Sequence, residues 1–84
     1  MKIKVRVKQY TDHKIEIVTD FIRLDALLKY ASVVQTGGEA KMMITDGQVR
    51  VNGEICTQRG KKIRHGDSVS FENIRLNVIQ NPQN

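Results

Sequence analysis

At 84 residues the chain is shorter than the usual single domain, which leaves one compact unit and excludes a catalytic domain with an appendage. Apolar residues at 39% and charged residues at 27% fit a small globular fold, and no apolar run is long enough to span a bilayer. Fourteen Lys and Arg against nine Asp and Glu give a formal charge of +5 and a pI near 9.7, the balance of a partner for polyanions or of a plain basic protein without one.

Residues 2–8 alternate strictly, with Ile3, Val5 and Val7 on one face and four cations on the other, the pattern of a half-buried strand. Residues 14–18 repeat the alternation through Ile15 and Ile17. Tyr10-Thr11-Asp12-His13 between them carries turn chemistry, so the segment 2–18 reads as an N-terminal β-hairpin. Its basic face is either solvated, protecting an edge strand, or an RNA contact.

The period then changes. Leu24, Leu27, Leu28 and Ala31 recur at helical spacing and predict a helix from Asp20 or Leu24 to Ser32, with Phe21 and Ile22 able instead to extend the preceding strand. Thr36-Gly37-Gly38-Glu39 reads as a capping box, opening a second helix that turns Ala40, Met43 and Ile44 inward and stops at Gly47. The two form a helix-loop-helix. Beyond it the chain is β. Residues 48–51 and 54–57 flank Asn52-Gly53, a strong type I′ hairpin signal, and residues 68–71 and 74–79 alternate as two further strands. The polar tail, residues 80–84, holds the single Pro and reads as frayed.

Few residues suit catalysis. Cys56 and His65 are the candidate nucleophile and base, but no local signature joins them, and a small thiol is an ordinary occupant of an alternating strand. One Cys and two separated His fall short of a four-ligand zinc site, so neither a metal nor another cofactor is expected. A lone Cys and the lack of an apolar leader after Met1 point to the cytoplasm. The binding signals are stronger. Arg59, Lys61, Lys62 and Arg64 fall within residues 57–65 without an intervening acid, a candidate phosphate contact. The helix start at Thr36, Gly37 and Gly38 offers unpaired amides to a phosphate, with Lys41 one turn further on, although an ordinary capped helix explains the same residues.

Taken jointly, Ile22-Arg23-Leu24-Asp25, Leu27-Leu28-Lys29, Thr36-Gly37-Gly38-Glu39-Ala40-Lys41, Gly47-Gln48-Val49-Arg50-Val51-Asn52-Gly53-Glu54, Arg59-Gly60-Lys61-Lys62-Ile63 and Gly66-Asp67-Ser68-Val69 resemble the S-four RNA-binding domain, or alpha-L motif. The resemblance covers residues 22–71 and is nearest to small stand-alone bacterial members of the YaaA and YbcJ type. It implies an α+β fold, two helices packed on a small, bent, mostly antiparallel sheet, with structured RNA held on the helix-loop-helix. Carried over by position, the RNA-binding residues would be Arg23, Thr36, Gly37, Gly38 and Lys41, flanked by Arg50 and by Arg59, Lys61, Lys62 and Arg64. Many ribosomal and RNA-modifying members have a Ser-Arg pair before the second helix. Here Thr36-Gly37-Gly38 stands in that place.

The expectation is therefore a single non-catalytic domain over residues 1–84 that binds structured RNA, with rRNA, a ribosomal subunit or an assembly intermediate as partner and no membrane or small-molecule substrate. The alternative is a β-grasp protein-docking module. Its sulphur-carrier chemistry is excluded by a terminus that reads Gln80-Asn81-Pro82-Gln83-Asn84 and not Gly-Gly. A DNA-reading helix-turn-helix fits less well, because the second helix carries Lys41 as its one cation.

Overall fold

A computed structural model describes residues 10–81. The order of elements is β1 (Thr11–Ile17), β2 (Ile22–Arg23), α1 (Leu24–Tyr30), α2 (Gly37–Thr45), β3 (Val49–Val51), β4 (Glu54–Ile55), β5 (Lys62–Ile63), β6 (Ser68–Phe71) and β7 (Ile74–Gln80). Five strands form one sheet in the order β1-β7-β6-β3-β4, and β2 pairs with β5 as a separate two-stranded ribbon. Three of the four neighbour pairs in the large sheet are antiparallel, while β1 and β7 run parallel. The α+β architecture is that of two helices on a mixed sheet.

Alternation sets which face is buried. Val49, Val51, Val69, Leu76 and Val78 turn towards Leu24, Leu27 and Leu28 of α1 and Ala40 and Ile44 of α2, and Ile17, Val34 and Ile63 complete this core. Ala31 and Met43, expected inward, are partly buried against it. Removing the bulk of a fully buried leucine such as Leu27 typically costs about 2–5 kcal/mol.

Local signals explain three element boundaries. The Thr36 hydroxyl accepts from the Glu39 amide at 3.1 Å, and Glu39 Oε1 accepts from the Thr36 amide at 3.2 Å, completing the capping box of α2. That helix ends where Gly47, at φ 77°, lets its own amide reach Ile44 O and the Gln48 amide reach Met43 O. Asn52 and Gly53 both have positive φ, 52° and 87°, as a type I′ turn demands.

The structure differs from the sequence reading at residues 11–13 and at residues 22–23. The first strand of the expected N-terminal hairpin, residues 2–8, lies outside the described residues, and the segment after it pairs with β7 at the far end of the chain. Residues 11–13 are strand and not turn, because Asp12 is held across the sheet by Arg75 Nε at 2.6 Å and Asn77 Nδ2 at 3.0 Å. Ile22 and Arg23 neither extend β1 nor join the helix; they pair with Ile63 and Lys62 inside the basic segment 57–65. Helix α1 also ends without glycine. Ser32 takes the left-handed conformation at φ 62°, and the Ser32 and Val33 amides return to Lys29 O and Leu28 O.

Candidate nucleic-acid interface

The basic segment is pinned to the start of α1 by its own backbone. The first amides of a helix lack partners within it, and Arg23 supplies no side-chain cap. Instead Lys61 O accepts from the Leu24 amide at 2.8 Å and Arg59 O from the Asp25 amide at 3.1 Å, while Asp25 Oδ1 accepts from the Ala26 amide at 2.8 Å. The strip of cations is thereby fixed beside Arg23.

Two guanidiniums converge on one carboxylate oxygen. Arg23 Nη2 and Arg59 Nε each lie 3.1 Å from Asp25 Oδ2. The Asp25 side chain is 12% exposed but those of Arg23 and Arg59 are 54% and 44%, so the acid lies beneath and the cations face solvent. Burial pushes the Asp25 carboxyl pKa up. Hydrogen bonds from Arg59 and the Ala26 amide, together with the charge and hydrogen bond of Arg23, outweigh it and hold the carboxyl below its ordinary value. Asp25 is therefore ionised at neutral pH and orders both arginines.

These side chains line a depression of about 300 Å³ with Ala26, Lys29 and Gly37. It brings together three of the sequence candidates, Arg23 from β2, Gly37 from α2 and Arg59 from the connection between β4 and β5. Nothing lies within 4 Å of a Cβ built on Gly37, so the α2 N-terminus is sterically open there. Glu39 does not oppose an anion freely, because its carboxylate is folded back onto the Gln35 and Thr36 amides. Lys29 and Asp25 were not singled out by sequence. Their spacing of four residues, which stacks them on one helix face next to Arg23, is the signal that could have found them.

The remaining candidates divide. Thr36 and Gly38 flank Gly37 at the helix start. Lys61, Lys62 and Arg64 line a different concavity, and beside it Lys62 Nζ and Arg64 Cζ sit 4.9 and 5.6 Å from the centroid of the Phe21 ring, which does not line it. Lys41 is exposed on α2 and lines neither depression. Arg50 lies between core-facing Val49 and Val51, so it projects from the sheet face opposite the helices and donates to Gly53 O at 3.2 Å. The structure thus does not bring Arg50 to the helix-loop-helix surface.

Tyr30 is 61% exposed, with its hydroxyl donating to Glu16 O at 3.1 Å, so its ring is presented in a fixed place. Cys56 and His65 are each engaged by backbone: the thiol donates to Gln58 O at 3.8 Å and His65 Nδ1 accepts from the Gln80 amide at 2.9 Å. Among the described residues no group of three or more His, Cys, Asp or Glu is placed to hold a metal, and no helix is long and apolar enough to cross a membrane.

Comparison with known proteins converges on one family. The sequence model of the S4 domain matches residues 15–79. The chain is 43% identical over 58 residues to the Bacillus subtilis (strain 168) protein named "Probable ribosome maturation protein RlbA", covering 69% of this chain and 82% of that one. It is 36% identical over 58 residues to YbcJ of Escherichia coli (strain K12), covering 69% and 83%. The solution structure of Escherichia coli YbcJ, described as revealing an alfaL motif involved in RNA-binding, superposes with a TM-score of 0.60 at 28% identity over 93% of this chain and 98% of that one. A crystal structure of a pseudouridylate synthase gives the same TM-score and identity, but the match covers 67% of this chain and only 24% of the synthase.

Proposed function

The chain belongs to the S4 domain family, and from that membership we propose that it is a non-catalytic cytoplasmic module that binds structured RNA. The observation that carries this reading is the convergence of Arg23, Arg59 and Lys29 on one depression beside the open N-terminus of α2. Guanidinium forks match phosphate oxygens, and a helix start adds amide donors and the positive end of a dipole. A-form RNA hides its base edges in a deep, narrow groove, so a compact basic surface reads it through phosphates, 2′-hydroxyls and shape.

The RNA is ribosomal, either in a finished subunit or in one being assembled. The name of the Bacillus subtilis relative supports this step, as ribosome maturation acts on rRNA and its proteins. The test is a salt-resolved titration of the full chain against an rRNA hairpin, the matching DNA duplex and a single-stranded RNA of equal length. Preference for the hairpin at about 150 mM salt is expected, with log K falling against log salt at a slope of roughly −3 to −4 if four or five phosphates are neutralised. Equal weak binding to all three would overturn the reading and direct attention to a protein partner.

A further inference from the structure

The second concavity, about 490 Å³, lies within the size range of small-ligand sites and has mixed chemistry. Lys61, Lys62 and Arg64 come to it from the basic strip, while Val51, Ile55 and Cys56 come from β3, β4 and the residue that follows. Ile55 is 54% exposed, an unusual position for a large aliphatic, and its Cγ2 sits 3.6 Å from where a Cβ on Gly47 would be, at the turn that ends α2. The cations are likewise placed, since Lys62 and Arg64 rest on the Phe21 ring. Two carboxylates also line the space. Asp67 is already committed, Oδ1 accepting from Asn52 Nδ2 at 3.1 Å and Oδ2 from the Arg64 amide at 2.8 Å, which leaves Glu54 against three cations.

A paired RNA backbone has no use for the apolar patch that Val51, Ile55 and Cys56 add to this otherwise polar lining, because its base faces are stacked within the helix. A nucleotide outside the stack presents both a phosphate and an apolar base face, the two chemistries that meet here. We infer that this concavity takes a single nucleotide extruded from the bound RNA, with its phosphate against Lys61, Lys62 and Arg64 and its base against Ile55 and Cys56. The inference rests on the RNA-binding reading and adds to it a preference for RNA helices interrupted by an unpaired nucleotide.

The test compares two otherwise identical RNA hairpins, one fully paired and one with a single bulged uridine, using the full chain. Cys56, the single cysteine, serves as reporter through the rate at which iodoacetamide alkylates its thiol. The bulged hairpin is expected to bind about tenfold more tightly, the order expected when one apolar base face is taken out of water, and to slow alkylation where the paired hairpin does not. Ile55→Ser, at an exposed position, is expected to abolish the preference while leaving the affinity for the paired hairpin unchanged. Equal affinities, equal protection of Cys56, or a preference that survives Ile55→Ser would overturn the inference while leaving RNA binding itself intact. Binding to neither hairpin would instead refute the underlying reading. A third arm adds free uridine monophosphate. If it protects Cys56 and no bulge preference is seen, the site belongs to a free nucleotide and the extruded one is ruled out.

Discussion

The guanidinium of Arg59 reaches the carboxylate of Asp25 across 34 positions of sequence, Nε to Oδ2 at 3.1 Å, so an acid organises the start of the basic segment 57–65. Counting charges alone, replacing that acid should favour a polyanion. The geometry predicts the opposite. Asp25→Asn should weaken binding to an RNA hairpin by about tenfold, comparable to losing one well-placed charge-assisted contact, although it raises the net charge. In the Asp25→Asn background, Arg59→Ala should cost less affinity than in the parent chain, since an unanchored arginine has less to lose. A tighter Asp25→Asn complex would show that Asp25 does not position the arginines.

Reversing Lys61, Lys62 and Arg64 together to Glu should weaken binding to all structured RNAs, paired and bulged, and flatten the salt dependence. Lys62 and Arg64 also rest on Phe21, a contact worth about 0.5–1 kcal/mol each at exposed sites, so thermal melting should show a small loss as well. An unaltered affinity in a folded triple variant would remove this strip from the interface.

Acid should loosen the sheet through Asp12. Hydrogen bonds from Arg75 first and Asn77 second lower its pKa to about 2 from an ordinary 3.8. The unfolded chain therefore binds a proton more readily than the folded one, so the stabilisation is present above the unfolded pKa and is lost as pH falls through the folded value. Denaturant melts between pH 5 and pH 2 should show declining stability, and Asp12→Asn should make that decline shallower. Identical acid limbs in the two proteins would contradict the assignment.

Ser32 closes α1 in a conformation that L-residues adopt at a cost, with φ 62°. Ser32→Gly should stabilise the protein by about 0.5–1 kcal/mol, read as a rise of a few degrees in Tm, with RNA affinity unchanged. A lower Tm would mean that glycine's added freedom in the unfolded chain outweighs the relief.

What the sequence disclosed and what it concealed divide by range. The α2 capping box and the Asn52-Gly53 turn were legible because each is decided within four residues by hydroxyl, carboxylate or positive-φ chemistry. The Leu24-Leu27-Leu28 stripe was legible for the same reason, as helical periodicity is local. Asp12 and His13 looked like turn residues because the arginine that draws Asp12 into a strand stands 63 positions away. The cluster Arg59, Lys61, Lys62 and Arg64 was visible, but not its division between two depressions. That depends on Lys61 and Arg59 carbonyls meeting the first amides of α1. Family analogy puts Arg50 beside the helix-loop-helix as a flanking contact. Strand alternation between Val49 and Val51 already implied the other face.

The parallel pairing of β1 with β7 also dictates an order of events during folding. Thr11 pairs with Ile74 and Ile17 with Gln80, so this ladder joins the two ends of the described chain and forms only after the longest loop among the described residues has closed. The Asn52-Gly53 hairpin and the two helices can form within microseconds from neighbouring residues. On a translating ribosome, β1 emerges well before β7, so the edge that β7 will pair stays open while the residues between them are made. The hairpin and the helices are thus built from segments that meet early, and the β1–β7 ladder closes after them.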